Sequence, residues 1–275
     1  MDEVSTTLGR VRGRVTSRDG TAIAYERYGD GRHEGRAPVV LVSGALATAA
    51  AERPLAGLLA RHFTVFAYDR RGRGGSGDAG PCAVEREIED LAAVVEAAGA
   101  GAALHGTGTG GALALAAVAA GLPAAALSVY EPPYSAEAAE VWRRVAALLE
   151  EGRPEAALGL VPADTSLPAE VWLAGAEPAR ALAHDLAVLG DGPPPGRALA
   201  EVHARVLVVD GGFSPAGTRR AARGLAAALP RGRHRTLTGQ TSEVAPHVLA
   251  PVLEEFLTEE REDGRDDGRR RETAA

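Results

Sequence analysis

The run Gly106-Thr107-Gly108-Thr109-Gly110-Gly111 holds the strongest chemical signal in this 275-residue chain. It follows the apolar stretch Ala102–His105 and leads directly into an Ala/Leu segment, so it reads as a strand turning sharply into a helix. Glycines at such a corner let two backbones pass where a Cβ would not fit. The helix opening near Thr109 turns free N–H groups and the positive end of its dipole outward. A corner of this kind can polarise a carbonyl, hold an oxyanion or cradle a phosphate. Gly106-x-Gly108-x-x-Gly111 fits the dinucleotide pattern, and Glu131 ends a strand at about the twenty-residue distance that the pattern asks for. That pattern belongs to a first βα unit, whereas this corner comes after the fifth strand, and nucleotide binding is set aside. There is no Walker lysine and no His/Cys/Asp/Glu spacing of a metal site, so neither a cofactor nor a metal is expected.

Other reactive types are scattered. His105 lies beneath the corner and His247 in the first turn of the last helix, both readable as structural; His184, in a helix of an inserted segment, is placed to reach a pocket. Cys82 is the only cysteine, which excludes an internal disulfide and CxxC chemistry. The pairs Arg70-Arg71 and Arg219-Arg220 read as solvated or salt-bridged. Aromatics make up only 4% of the chain, yet Tyr130, Tyr134, Trp142, Trp172 and Phe213 all fall in the insert or at the sheet's C-terminal edge, which points to an apolar ligand pocket.

These groups need a scaffold. Gly13–Ser17 and Thr21–Tyr28 read as strands joined by Arg18-Asp19-Gly20. Pro38–Ser43, Phe63–Tyr68, Ala102–His105, Ala125–Tyr130, Arg205–Asp210 and His234–Leu237 follow as short strands, mostly apolar throughout, as in strands buried on both faces. Helices are expected over Ala49–Arg61, Glu85–Ala98 (Ile88, Leu91, Ala92 and Val95 inward, acids between), from Thr109, over Ala216–Ala228 and over Pro246–Thr258. The alternation predicts an α/β fold: a mostly parallel, eight-stranded sheet with helices on both faces. It lapses between Tyr134 and Ala204, read as a helical lid. The expected division is a core over 1–133, the lid over 134–204, the rest of the core over 205–258, and a charged, disordered tail over 259–275.

The order Ser43-Gly44-Ala45, Asp69-x-Arg71-Gly-x-Gly-x-Ser76, then Gly106-x-Gly108-x-Gly110-Gly111 resembles the α/β-hydrolase family. It looks most like its small lid-bearing members in high-GC bacteria, over nearly the whole chain from Gly13 to Thr258. The resemblance implies a nucleophile elbow, G-x-S-x-G, at the glycine-rich corner. Here the flanking Gly106 and Gly110 stand, but the apex is Gly108, and a hydrogen cannot attack a carbonyl. The family's histidine falls at Ser242, which does not titrate near neutral pH, and its usual acid at Ser214. Relatives that take the acid from the end of the sixth strand would place it at Glu131. The resemblance assigns oxyanion N–H donors to Thr109 and Ala45, with Ser43-Gly44 in place of the usual His-Gly. Relatives with altered triads run lyase or cyclase chemistry.

The expectation is therefore a non-hydrolytic, cofactor-independent biosynthetic enzyme of cyclase, isomerase or lyase type, acting on an apolar oxygenated small molecule of secondary metabolism. Ala45 and Thr109 would polarise an oxygen. Glu131 would move a proton, aided by Ser214, Ser242 and Thr241, while Ser43, Tyr130, Tyr134, Trp142, Trp172, His184 and Phe213 line the ligand. A non-catalytic ligand-binding pseudoenzyme is the rival, and a hydrolase with a relocated base such as His184 the third reading. A net charge of −7 argues against nucleic acid as a partner. The charged stretch Met1–Val15 lacks a signal peptide's apolar core and no apolar run reaches membrane-spanning length, so no membrane partner and a cytoplasmic location are expected.

Overall fold

The computed structural model describes residues 9–29, 36–99, 101–161, 178–193 and 196–259. The hairpin forms as its turn residues require: β1 (Val11–Thr16) and β2 (Ala22–Tyr28) pair antiparallel from Val11↔Arg27 to Thr16↔Ala22, with Gly20 at φ +88° closing the turn. Strand β2 runs antiparallel to β4 (Val65–Tyr68). From β4 onward the pairings are parallel, through β3 (Val39–Val42), β5 (Ala103–Thr107), β6 (Ala126–Tyr130), β7 (Arg205–Gly211) and β8 (Gly232–Leu237). The sheet has eight strands in the order β1-β2-β4-β3-β5-β6-β7-β8.

Every residue of β3, β4 and β6 is buried, because helices cover both faces. Alternate residues feed two cores. Val40, Val42, Leu104, Leu127, Val129 and Val208 face one that also takes in α2 (Val84–Ala98), α3 (Thr109–Ala119) and part of the insert. Val39, Leu41, Val65, Ala103 and Val209 face the other, with α1 (Arg53–Leu59) and the last helix, Pro246–Thr258. The stretch expected as one helix over Ala49–Arg61 is two pieces, a 3₁₀ turn (Ala49–Glu52) and then α1, with Pro54 in the first turn, where its missing N–H costs nothing. Strand β8 starts two residues before its apolar pattern does. As an edge strand it alternates partly buried and exposed positions, and no apolar run marks its start.

Helix α2 departs from its expected face. Its buried residues are Glu87, Asp90, Leu91 and Val94, so two acids expected between the inward positions lie inside. The insert is helical among its described residues: α4 (Ala136–Glu150), α5 (Pro154–Leu158), α6 (Pro178–Leu189) and α7 (Gly196–Ala200). Ser135 caps α4, its Oγ accepting from the Ala138 N–H at 3.1 Å. Helix α8 (Ala216–Ala228) follows β7, and α9 (Pro246–Thr258) follows β8. No described helix is long and apolar enough to cross a membrane. Trp172, and the tail beyond Glu259, lie outside the described residues.

Candidate functional site

Strand β5 reaches the C-terminal edge of the sheet between β3 and β6 and turns there into α3. A Cβ on Gly106 would lie 2.5 Å from the Gly110 carbonyl oxygen, and one on Gly110 would lie 2.1 Å from that of Val42. Both positions therefore exclude side chains, as the spacing predicted. Gly108 sits at φ +56°, ψ −124°, and a Cβ there would meet nothing within 4 Å. The corner thus keeps a raised, open apex and carries no side chain on it.

The loop after β3 stands against this corner, since a Cβ on Gly44 would come within 3.0 Å of the Thr107 carbonyl oxygen. Its next turn is strained: Leu46 is at φ +59°, outside the ordinary range of a branched side chain. The Asp69–Ser76 turn holds this loop. Asp69 accepts from the Ala49 N–H at 2.7 Å and the Gly75 N–H at 2.8 Å, and Ser76 Oγ accepts from the Ala24 N–H at 2.9 Å. Neither the Ala45 nor the Thr109 N–H is taken by a hydrogen bond among the described residues. Two unengaged donors and the start of α3 make an anionic oxygen above Gly108 electrostatically favourable.

The Thr109 side chain turns away from the apex and into a buried ionic cluster. Its Oγ1 donates to Asp185 of α6 at 2.7 Å and accepts from Arg70 at 3.2 Å. Arg70 forks onto Glu87 at 2.9 and 2.5 Å and reaches Asp185 at 2.8 Å. Arg73 also pairs with Asp185 at 2.8 Å, and Arg71 forks onto Asp90 at 2.7 Å on both arms. Arg70, Arg71, Arg73, Glu87, Asp90 and Asp185 are all at 0% exposure. The arginines are paired, as one of their expected readings had it, but entirely inside the protein. They explain the rotated face of α2, because the buried acids are their counter-ions. Arg73 is the poorly served member, with Nε and Nη1 unpartnered. Burial and the nearby Arg70 charge lower its pKa, while Asp185 opposes them.

One carboxyl follows the strand beside the corner. Glu131 follows β6 at φ +44°, and its Oε1 accepts from the Gly211 N–H at 2.8 Å and Ser214 Oγ at 2.5 Å. Burial raises its pKa against those two bonds. Glu131 and Ser214 are thus brought together, whereas Ser242 is exposed on the loop before α9. Thr241 contributes its carbonyl to the Tyr130 hydroxyl, and its own hydroxyl stays beside Glu243. Glu52 ends the 3₁₀ turn after the β3 loop, where Ser43, the fully buried residue that follows β3, donates its Oγ to the Thr48 carbonyl at 3.3 Å. Burial pushes the Glu52 carboxyl up to about 7, with only the Ser43 bond opposing it. Glu52 escaped the sequence reading; its one signal is a lone acid ending the apolar run Leu46–Ala51. Asp185 escaped as well, hidden beside His184 in an otherwise amphipathic helix.

Two of the imidazoles are bound to carboxylates. His184 is fully buried and bonds Asp78 at 3.0 Å, away from the corner. Burial holds His105 down at about 4, with both nitrogens unpartnered below the elbow. His234 pairs with Asp210 at 2.7 Å on the edge strand β8, and His247 is exposed in the first turn of α9. Trp142 packs into the core with Tyr134 against it, Tyr130 is fully buried, and Phe213 is 77% exposed beside Ser214.

Residues 39–257, from β3 into the last helix, match the model of the alpha/beta hydrolase family. The chain belongs to that family. An alpha/beta hydrolase from Sphaerobacter thermophilus DSM 20745 is 45% identical, over 90% of this chain and all of that one, with a TM-score of 0.75. The enol-lactonase from Burkholderia xenovorans LB400 shares 20% identity over 90% of this chain and all of its own, with a TM-score of 0.70. The bottromycin epimerase BotH, solved with bottromycin A2, shares 23% over 90% and 98% of the two chains, with a TM-score of 0.66. At those lower identities the likeness is one of fold. No curated protein matches the chain.

Proposed function

We propose that this family member is a non-hydrolytic, cofactor-independent enzyme of cyclase, isomerase or lyase type, acting on an apolar small molecule that carries a carbonyl or related oxygen. The observation that carries the reading is Gly108: an open apex at φ +56° with no atom to begin acyl transfer. Thr109 and Ala45 N–H groups hold the oxygen as charge builds on it, a contribution of about 2.7–4 kcal/mol per donor where one has been deleted elsewhere. Glu131 exchanges a proton through Oε2, which has no partner among the described residues, while Ser214 and the Gly211 N–H fix Oε1. Phe213 and Tyr134 supply apolar contact, and Ser43, Thr241 and Ser242 supply hydrogen bonds. The family likeness to a protein named an epimerase supports non-hydrolytic chemistry on this scaffold.

The test is comparative metabolite profiling of a strain lacking the gene, beside p-nitrophenyl acetate assays of the purified protein. An accumulated unrearranged precursor is the expected result, with ester turnover no faster than in buffer. Unchanged metabolites with altered transport would replace the enzyme by a ligand carrier. Ester turnover at ordinary esterase rates, lost in His184→Ala, would restore hydrolysis with a relocated base.

A further inference from the structure

We propose that the His234–Asp210 pair governs the proton affinity of Glu131, so that an imidazole at the outer edge of the sheet decides when the site carboxyl binds or releases its proton. The assignment rests on the role given to Glu131 above. It adds a positioning residue, His234, that acts on Glu131 through Asp210 and touches no ligand.

The backbone sets the three groups in a row. The β6–β7 ladder runs through Tyr130↔Val209 and one bond further, from the Glu131 N–H to the Val209 carbonyl at 3.0 Å. Glu131 therefore stands beside Asp210, and its Oε1 accepts from the next amide along, the Gly211 N–H, at 2.8 Å. On the far side of β7, His234 pairs in register with Val208, and its Nε2 lies 2.7 Å from Asp210 Oδ2. The row thus crosses from the end of β6 over β7 to β8, the edge of the sheet.

Burial divides the roles. The Asp210 side chain is at 0% exposure and its Oδ1 has no hydrogen-bond partner, so its charge acts on its neighbours with little screening. His234 keeps 22% of its side chain in solvent and can trade a proton with the medium. With the ring protonated, Asp210 is half of an ion pair and repels Glu131 little. With the ring neutral, an uncompensated carboxylate stands beside a second carboxyl, and Glu131 holds its proton to higher pH. Burial raises Glu131, and the Asp210 charge raises it further, against the bonds from Ser214 and the Gly211 N–H.

Other charges do not take the place of the imidazole. Among the described residues, His234 is the one basic side chain bonded to Asp210. On α8, which packs on β7 and β8, Arg220 and Arg223 are exposed, and Arg219 is partly buried with no bond to either carboxyl. Glu137 of α4 lies against Gly217 at the start of α8. Arg233 and Arg235, which alternate with His234 along β8, pair with Glu259 and Glu255, and Arg205 at the start of β7 also faces Glu259. The Tyr130 hydroxyl is held by the Thr241 carbonyl.

The test follows the carboxyl itself, by carbon-13 NMR of the full chain labelled at its glutamate carboxyls, the Glu131 signal being the one lost in Glu131→Gln. Asp210→Asn should lower the Glu131 midpoint by about one pH unit, and His234→Gln, which cannot carry a charge, should raise it by about 0.5. In the Asp210→Asn background the His234 change should do nothing, because the imidazole acts only through that carboxylate. Coupling is reciprocal, so Glu131→Gln should lower the midpoint of the His234 ring signals by a similar amount. His247→Gln, at an exposed imidazole of α9, should leave the Glu131 curve alone. A Glu131 curve unmoved by His234→Gln overturns the assignment. So does a shift that persists without Asp210, or a Glu131 carboxyl that never titrates while the chain stays folded. None of these results touches the non-hydrolytic reading, which falls instead on ester turnover.

Discussion

Removing Asp185 tests whether the insert is locked to the elbow by charge. Asp185→Ala deletes the counter-ion of Arg73, a partner of Arg70 and the acceptor of the Thr109 hydroxyl in one step. Arg70 keeps its fork on Glu87, but Arg73 is left with only the Ala181 carbonyl at 3.2 Å. A guanidinium cannot shed its charge near neutral pH, so the cost is that of a buried ion stripped of its partner, about 3–5 kcal/mol. In a chain of this size each kcal/mol moves Tm by roughly 2–4 °C, so the melting point should fall on the order of 10 °C. The assay is thermal and urea unfolding of Asp185→Ala, Arg73→Met and the double variant. If the stranded charge carries the loss, the double variant recovers much of it and the cycle shows strong coupling. A single-variant loss below about 1 kcal/mol, or plain additivity, would refute a buried, charged cluster.

Gly108→Ser should fold, because its Cβ meets nothing within 4 Å, but a side chain at φ +56° should cost about 1–2 kcal/mol. It should give no burst of p-nitrophenolate from p-nitrophenyl acetate, since Ser242 stands where the family's histidine falls and His184 is bonded to Asp78; a stoichiometric burst would show a base within reach. Glu52 also bears on stability: its folded value of about 7 stands above the ordinary 4.5, so the unfolded chain ionises first and the folded state is penalised as pH rises between the two. That penalty reaches about 3 kcal/mol above pH 7, and about 2 kcal/mol of it accrues above pH 5.5. Glu52→Gln should therefore gain stability over the wild type on going from pH 5.5 to 8.5 in urea titrations. An equal difference at the two pH values would contradict the dry environment of that carboxyl.

The scaffold was legible because its signals are local. Apolar runs such as Val39–Val42 and Val206–Val209 announce buried parallel strands, and the glycines of the corner announce a close backbone crossing. The empty apex was legible too, since Gly108 needs only to be read in register. The site's charges were not. Glu87 and Asp90 look like solvated acids until Arg70 and Arg71, from a distant turn, are laid against them, and Asp185 meets Arg73 across more than a hundred positions of chain. Pairing of that kind is set by tertiary packing, and no period in a single helix reveals it. Glu52 was missed for a related reason: an acid beside Arg53 suggests a surface pair, but Arg53 is turned to Glu26.

The Asp185 junction ties the insert to the start of α3 through several bonds at once. Swinging α6 outward would draw a carboxylate away from two guanidiniums and the Thr109 hydroxyl, and His184 from Asp78, all in one movement. Helix α6 therefore moves only when those bonds break together.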